Sequence, residues 1–328
     1  MKEIYSKFDD ISIQPNTDPA ILMRKIAELK KQKEAVILAH YYQQASIQDV
    51  ADYVGDSLGL SQQAAIEDAK IIVFAGVHFM AETAKILNPY KKVLLPDLSA
   101  SCSLAESCPP KEFGDFIKLH PKHKVVTYIN CSAKIKAMSD IVCTSSNAER
   151  VIKSIPKKQP IIFAPDKNLG KYLIEKTDRE MLLWDGACAV HEAFAFDKIL
   201  QLHEQYPKAK FIAHPESEKS ILDLAAYIGS TAGMIKFVKK DKAQEYIVAT
   251  EVGILHKMQQ AVPTKLLIPA PVEEDNTCAC SECAFMKVNT LEKLYHCLKY
   301  ESPEIHVSEE IRERALLPIE KMLALSKN

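Results

Sequence analysis

One pattern recurs three times in this sequence and limits its possible folds: an apolar run ends in a polar residue, and a hydroxyl residue follows seventeen positions later. The three pairs are His40 and Ser57, Tyr128 and Ser145, and His214 and Thr231. The second and third pairs lie 88 and 174 positions after the first. A period near 88 residues matches a whole βαβα unit and is too long for a solenoid repeat. The sequence therefore predicts three similar domains.

Short β-branched runs alternate with longer amphipathic stretches along the chain. This alternation predicts an α/β fold in which short parallel sheets carry helices on both faces. The three domains are predicted over residues 1–103, 104–189 and 190–283, and residues 284–328 are expected to add helices that pack back on the first domain. Parallel α/β sheets bind ligands at the carboxyl ends of their strands. Three pseudo-threefold-related domains that turn these ends inward would form one central site.

The charge balance argues against a polyanionic partner. The 328 residues include 42 Lys and Arg against 43 Asp and Glu, a formal net charge of −1, so no overall basic field favours nucleic acid or a membrane surface. No apolar stretch reaches the roughly 18 residues of a membrane span. Residues 1–10 contain acidic side chains where a signal peptide needs an apolar run. We therefore expect a cytosolic protein.

The cysteines are the most informative residues for function. Nine cysteines without an export signal favour a metal, a cluster or a reactive thiol over a disulfide framework. Each repeat closes with a strand and a cysteine, namely Cys102, Cys188 and Cys283. If these loops are equivalent, three thiolates converge and can hold an iron–sulfur cluster that leaves one iron open. An open position suits a Lewis acid that binds substrate oxygen, which favours dehydration or condensation over electron transfer.

A second interpretation of the cysteines is a local zinc site. Cys278, Cys280 and Cys283 could bind zinc together with His296 or Cys297, although the paired CxxC arrangement of a zinc ribbon is absent. Cys278 and Cys280 are also candidates for a redox-sensitive pair. The other cysteines are expected to behave as small buried hydrophobic residues: Cys108, Cys131, Cys143 and Cys297.

Polar residues at the predicted strand ends complete the candidate site. Ser57, Ser145 and Thr231 lie at strand-to-helix turns, where hydroxyls and backbone N–H groups suit carboxylate or phosphate oxygens. The sequence contains neither a GxGxxG dinucleotide fingerprint nor a Walker loop, so an anionic small molecule is the remaining candidate ligand. The candidates for acid–base catalysis are His40, Tyr42, Tyr128, His191, His214 and Glu216.

Several segments together resemble the quinolinate synthase family, over about residues 20 to 325 of this chain. They are ILAHYYQ (37–43), GDSL (55–58), YIN (128–130), CTSSNA (143–148), PDKNLG (165–170), HPE (214–216) and GST (229–231). The resemblance implies a triangular architecture of three αβα sandwich domains and a [4Fe-4S] cluster held by three cysteines. It also implies an enzyme that condenses iminoaspartate (iminosuccinate) with dihydroxyacetone phosphate to give quinolinate, phosphate and water on the route to NAD.

The resemblance assigns roles residue by residue. It places the cluster ligands on Cys102, Cys188 and Cys283, the same three residues that close the repeats. It places substrate contacts on His40, Ser57, Tyr128, Ile129, Asn130, Ser145, His214, Pro215, Glu216 and Thr231. His191 and Tyr42 match further active-site positions. This sequence departs from relatives that carry CxxCxxC around Cys283, so redox control by Cys278 and Cys280 does not follow from the resemblance.

The resemblance also indicates partners. It implies an L-aspartate oxidase or an aspartate dehydrogenase as the supplier of iminoaspartate, and it leaves a homodimer open as the assembly. Two other functional classes stay open at this point. A cluster-containing hydro-lyase would convert a single hydroxy acid without releasing phosphate, and an iron–sulfur or zinc sensor would need a partner surface or a basic DNA-binding helix, which does not stand out here.

Overall fold

The computed structural model describes residues 17–273 and 281–326, and its helices and strands form three α/β units. The first unit comprises α1 (Pro19–Gln32), β1 (Ala35–His40), α2 (Ala45–Val50), β2 (Tyr53–Gly55), α3 (Ser57–Ile66), β3 (Ile71–Ala75), α4 (His78–Leu87) and β4 (Lys92–Leu94). The second comprises α5 (Ser103–Glu106), α6 (Pro110–Leu119), β5 (Lys124–Tyr128), α7 (Ala133–Lys136), β6 (Ile141–Cys143), α8 (Ala148–Ser154), β7 (Ile161–Ala164), α9 (Lys167–Thr177) and β8 (Leu182–Leu183).

The third unit follows the same plan and is extended by C-terminal helices. It comprises α10 (Ala189–Glu192), α11 (Phe196–Gln205), β9 (Lys210–Ala213), α12 (Lys219–Leu222), β10 (Tyr227–Ile228), α13 (Thr231–Lys240), β11 (Glu245–Ala249), α14 (Ile254–Ala261) and β12 (Leu266–Pro269). The C-terminal helices are α15 (Ala284–Lys287), α16 (Leu291–Tyr300) and α17 (Glu309–Leu325). Over residues 17–273 and 281–326, no helix is long and apolar enough to cross a membrane.

Each unit contains one parallel sheet of four strands, and the strand order is the same in all three: β2-β1-β3-β4, β6-β5-β7-β8 and β10-β9-β11-β12. The last residue pairs between the first and third strands of each sheet are Ala39–Ala75, Thr127–Ala164 and Ala213–Ala249. His40, Tyr128 and His214 come directly after these pairs and therefore occupy equivalent strand ends. This register confirms the predicted α/β class and its threefold repeat. The predicted boundaries at 103/104 and 189/190 stay predictions.

Strand β1 is apolar without interruption from Ala35 to Ala39 because both faces of its sheet are covered. In β1, Val36 and Leu38 face one hydrophobic cluster, whereas Ile37 and Ala39 face another. Helices α1 and α16 cover the second face together. Helix α17 contacts two units: it packs against α4 of the first unit and against β6, α7 and α8 of the second. The C-terminal helices thus join two units into one core.

Capping side chains fix where the helices begin beside the site. Asp56, Asp166 and Ser230 precede α3, α9 and α13, and each accepts a hydrogen bond from a backbone N–H three residues later. These bonds satisfy donors that a helix start leaves without an intrahelical partner. The helix amino ends therefore have a defined position next to the carboxyl ends of the strands.

Candidate active site

Three cysteines, here called the cysteine trio (Cys102, Cys188 and Cys283), stand at equivalent places in the fold. Each one is the N-cap residue of a four-residue helix, α5, α10 or α15. All three line one central cavity. Backbone N–H groups of the helix that follows each cysteine bond to its sulfur and favour the thiolate form. The chain therefore presents three sulfurs to one cavity, from three separate loops.

Burial raises the pKa of all three thiols, to about 12 for Cys102. Repulsion between neighbouring sulfurs acts in the same direction, between Cys102 and Cys283 and between Cys188 and Cys102. Three buried thiols that repel one another as thiolates fit a multinuclear metal group, whose positive charge would compensate them. Soft thiolate donors are also the ligands that iron–sulfur clusters take.

The structure brings thirteen of the fifteen predicted site residues to this cavity. They are His40, Tyr42, Ser57, Cys102, Tyr128, Asn130, Ser145, Cys188, His191, His214, Glu216, Thr231 and Cys283. Ile129 does not line it, because its side chain packs into the hydrophobic core at 1% exposure. Pro215 is also absent from the wall, although it is buried between His214 and Glu216. The roles of these residues stay predictions.

Glu216 is the most connected ionisable group in the cavity. The Tyr128 hydroxyl donates to its Oε1 at 2.5 Å, and His191 Nδ1 lies 3.2 Å from its Oε2. Nδ1 of His214 lies 3.6 Å from Oε1. Burial by itself would raise the pKa of the Glu216 carboxyl, but His191 and the hydrogen bond from the Tyr128 hydroxyl outweigh it and lower that pKa. Glu216 is therefore a buried carboxylate held by three polar neighbours.

His40 and His214, at equivalent strand ends, share one hydrogen-bonding arrangement. In each case the backbone N–H two residues later donates to Nδ1, from Tyr42 at 3.2 Å and from Glu216 at 3.4 Å. Burial lowers the pKa of both imidazoles to about 3, so both are neutral. An Nδ1 that accepts a hydrogen bond leaves the ring proton on Nε2. Two N–H donors are thus fixed in place, and that of His214 lies 3.2 Å from Ser145 Oγ.

The predicted hydroxyl residues lie where helix amino ends meet. Ser57 and Thr231 are the first residues of α3 and α13. Their capping neighbours are linked across the units, because Ser146 Oγ lies 2.5 Å from Asp56 Oδ2 and 2.8 Å from Ser230 Oγ. This link holds two helix starts side by side. Hydroxyls and free backbone N–H groups at such a place favour an anionic oxygen.

Two polar groups of the site escaped the sequence analysis. Glu251 lines the cavity and is fully buried, and its Oε1 lies 2.8 Å from Lys287 Nζ. Thr250 Oγ1 lies 2.7 Å from the Tyr42 hydroxyl and 3.0 Å from His191 Nε2. The repeat contained a signal for Glu251, which comes two residues after the end of its third strand, as Asp166 does in the second unit.

The remaining described cysteines are buried in the core, as predicted. Their exposed fractions are 0 or 1%: Cys108, Cys131, Cys143 and Cys297. Cys297 packs in the cluster beneath β1, whereas Cys283 lines the cavity, so the alternative zinc site gains no support from Cys297. The predicted pairing of Cys278 with Cys280 lies outside the described residues.

Comparison with known proteins agrees with this geometry. The sequence pattern described as "Quinolinate synthetase A protein" matches residues 24–324. The chain belongs to this family. It is 60% identical to a protein named quinolinate synthase from Synechococcus sp., over 95% of this chain and 98% of that protein. It is 61% identical to the quinolinate synthase of Gloeothece citriformis, over 94% and 95% of the two chains. The chain is therefore an enzyme of the quinolinate synthetase A family.

Proposed function

We propose that this chain condenses iminoaspartate with dihydroxyacetone phosphate to form quinolinate, phosphate and water in NAD biosynthesis. The observation that carries the proposal is the convergence of the cysteine trio with Glu216 and two neutral histidines on one cavity. The names of the relatives support the same product. An L-aspartate oxidase or an aspartate dehydrogenase would supply the iminoaspartate, and the reaction would take place in the cytosol.

The proposed cofactor is one [4Fe-4S] cluster per chain, held by Cys102, Cys188 and Cys283. Its support is the donor set: three thiols, one at the start of each of three equivalent helices. Three protein sulfurs for four irons would leave one iron open, and that iron would supply a Lewis acid for substrate oxygen. The apolar side chains of Val77, Phe79 and Met286 border the same cavity and limit access of water to it.

The residues of the chain would bind and orient the two substrates. The proposed carboxylate and phosphate contacts are Ser57, Ser145 and Thr231, where hydroxyls lie at or near helix amino ends. The Nε2–H groups of His40 and His214 add fixed donors to the cavity wall. A charged ligand held by several such donors loses rotational freedom, which aligns reacting carbons for bond formation. Within the described part of the chain, Asn130 Oδ1 is buried without a hydrogen-bond partner and is therefore ready to accept from a substrate N–H or O–H group.

Glu216 is the proposed proton carrier for the condensation. Its carboxylate is ionised, and the Tyr128 hydroxyl donates to Oε1. A base in an enclosed site can take a proton from a substrate carbon or nitrogen, and the hydrogen bond from Tyr128 favours the ionised carboxylate that does so. His191, whose Nδ1 lies 3.2 Å from Oε2, is a second polar group beside this carboxylate.

Mössbauer spectroscopy of anaerobically prepared, iron-57-enriched protein tests the cofactor. We expect four irons per chain, one of which changes its signal when a dicarboxylate analogue of iminoaspartate is added. Four equivalent irons that the analogue does not affect would contradict an open iron. Formation of quinolinate from the two substrates is the direct test of the reaction, and conversion of a single hydroxy acid without phosphate release would contradict it.

Replacing Cys188 with Ala tests the ligand assignment. We expect loss of bound iron and of activity with an unchanged far-ultraviolet circular dichroism spectrum, because Cys188 lines the cavity and is only partly buried. Cys297→Ala is the matched control, since Cys297 lies beneath β1 and should leave the iron content unchanged. A fully active Cys188→Ala protein without iron would refute the assignment.

A further inference from the structure

A second group of metal-ligand atoms overlaps the cysteine trio and differs from it in chemistry. Cys188, His191 and Glu216, here called the mixed trio, each place one ligand atom so that all three atoms lie within 4.8 Å of one another. His191 and Glu216 are 2% and 3% exposed. Two members come from the start of α10, and the third comes from the turn after β9.

The orientation of His191 points to a ligand between these groups. Its Nδ1 lies 3.2 Å from Glu216 Oε2, and among residues 17–273 and 281–326 this buried atom meets no acceptor in ordinary hydrogen-bond geometry. Nitrogen and oxygen atoms bound to one tetrahedral zinc lie roughly 3.4 Å apart, since each is about 2.1 Å from the metal. The observed separation is therefore close to that between two zinc ligands.

The surroundings of His191 favour this use of Nδ1. The other ring nitrogen, Nε2, lies 3.0 Å from Thr250 Oγ1, which also contacts the Tyr42 hydroxyl at 2.7 Å. A hydrogen bond at the far nitrogen of a metal-ligating histidine holds the ring in position and leaves the near nitrogen free for the metal. Thr250 therefore stands where a second-layer partner of a metal site is expected.

We propose that the chain, when it carries no cluster, binds one divalent zinc ion through Cys188 Sγ, His191 Nδ1 and a Glu216 carboxylate oxygen, with a fourth position open. The Cys188 thiol releases its proton to solvent when zinc binds. One thiolate and one carboxylate neutralise the two positive charges of zinc, so the buried site carries no net charge. Three thiolates of the cysteine trio would instead leave a buried net charge of −1, which is costlier to desolvate.

The zinc site shares Cys188 with the proposed cluster, and in this respect it rests on the proposed function. A sulfur bound to zinc in the mixed trio is not available to a cluster, and zinc also occupies the carboxylate proposed as proton carrier. Zinc would therefore hold the chain in an inactive form and oppose loading with iron. Removal of zinc by a chelator restores the free sulfur and reverses the block.

Cobalt(II) binding to the cluster-free, full-length chain tests the site without using activity. The measurement is anaerobic and uses a Cys278→Ser/Cys280→Ser background, which removes the alternative local site. We expect one cobalt per chain with a sulfur-to-cobalt absorption of the intensity of a single Co–S bond, displaced by zinc. Thr250→Val should weaken cobalt affinity about 10- to 100-fold, because Thr250 acts through His191. His191→Gln and Glu216→Gln each remove a ligand atom and should weaken cobalt affinity more than that.

The cysteine trio provides the decisive comparison. Cys102→Ala should leave the cobalt spectrum and affinity unchanged, whereas Cys188→Ala should abolish both. Absorption of the intensity of three Co–S bonds, or loss of binding in Cys102→Ala, would overturn the inference. An unchanged affinity of His191→Gln for cobalt would also overturn it. Circular dichroism checks that each variant is folded. Cobalt binding as described would support the mixed trio even if no quinolinate were formed, so its failure and that of the proposed function are distinguishable.

Discussion

The buried ion pair between Glu251 and Lys287 gives the sharpest prediction for stability. Lys287 Nζ lies 2.8 Å from Glu251 Oε1 and donates to the Tyr42 carbonyl oxygen at 2.8 Å. Glu251 is fully buried and also accepts from the backbone N–H groups of Gly253 at 2.7 Å and Cys283 at 3.2 Å. The pair therefore connects the end of β11 with α15 and with the loop after β1. Lys287→Met removes the side-chain cation that lies beside this carboxylate.

The expected cost follows from the charge left behind. Removing one partner of a buried pair costs about 3–5 kcal/mol, because the other charge stays buried without compensation. Two backbone donors remain on Glu251, and burial already raises the pKa of its carboxyl, so uptake of a proton limits the penalty. We therefore expect the lower end, about 3 kcal/mol, in the free energy of unfolding.

Urea unfolding of the cluster-free protein, followed by circular dichroism, measures this cost. The double variant Glu251→Gln/Lys287→Met carries no charge at either position and should recover at least half of the lost stability. Lys219→Met is the control for losing a lysine, because its partners Glu175 and Asp223 are exposed and such pairs contribute about 0–1 kcal/mol. A Lys287→Met protein within about 1 kcal/mol of the parent would refute the reasoning.

Three further predictions address the substrate contacts, the acid stability and the packing. Ser145→Ala should raise KM about 10-fold or more with unchanged iron content, since a hydrogen bond to a charged ligand is worth about 1.5–3 kcal/mol; steady-state kinetics with an unaltered KM would contradict it. Hydrogen bonds from Lys33 and Lys92 lower the pKa of Glu301 from 4.5 to about 2, so its stabilisation is present above about pH 4.5 and is lost as the pH falls toward 2. Glu301→Gln should lower the free energy of unfolding by about 1 kcal/mol at pH 7, since the side chains of Glu301 and the two lysines are partly exposed. The difference in urea midpoint between the two proteins should disappear in acid. A difference independent of pH would exclude the charge of Glu301 as its cause. Gly186→Ala should destabilise the chain by about 1–3 kcal/mol, because the new Cβ would lie 2.5 Å from the Pro165 carbonyl oxygen, and an unchanged melting temperature would show that this backbone can shift without cost.

The sequence predicted the repeat because strand ends are local features. An apolar run with a polar residue at its end marks the edge of a sheet, and equal spacing transfers that mark from one unit to the next. The sequence therefore predicts that His40, Tyr128 and His214 lie at equivalent strand ends, and the register of the three sheets confirms it. Strands of two or three residues, such as β2, β6 and β10, are too short to show a period by themselves.

The contacts between units could not be predicted from these patterns. The orientation of the three sheets decides which nitrogen of His191 faces Glu216. It also decides that Lys287 reaches both Glu251 and the loop after β1. Those orientations follow from packing between elements of different units, such as α17 against β6 and α8. The sequence by itself determined the α/β units and the residues at their strand ends, because hydrophobic periodicity and turns are local. Only the tertiary structure decided which of these residues meet, because that depends on packing among side chains far apart in the chain.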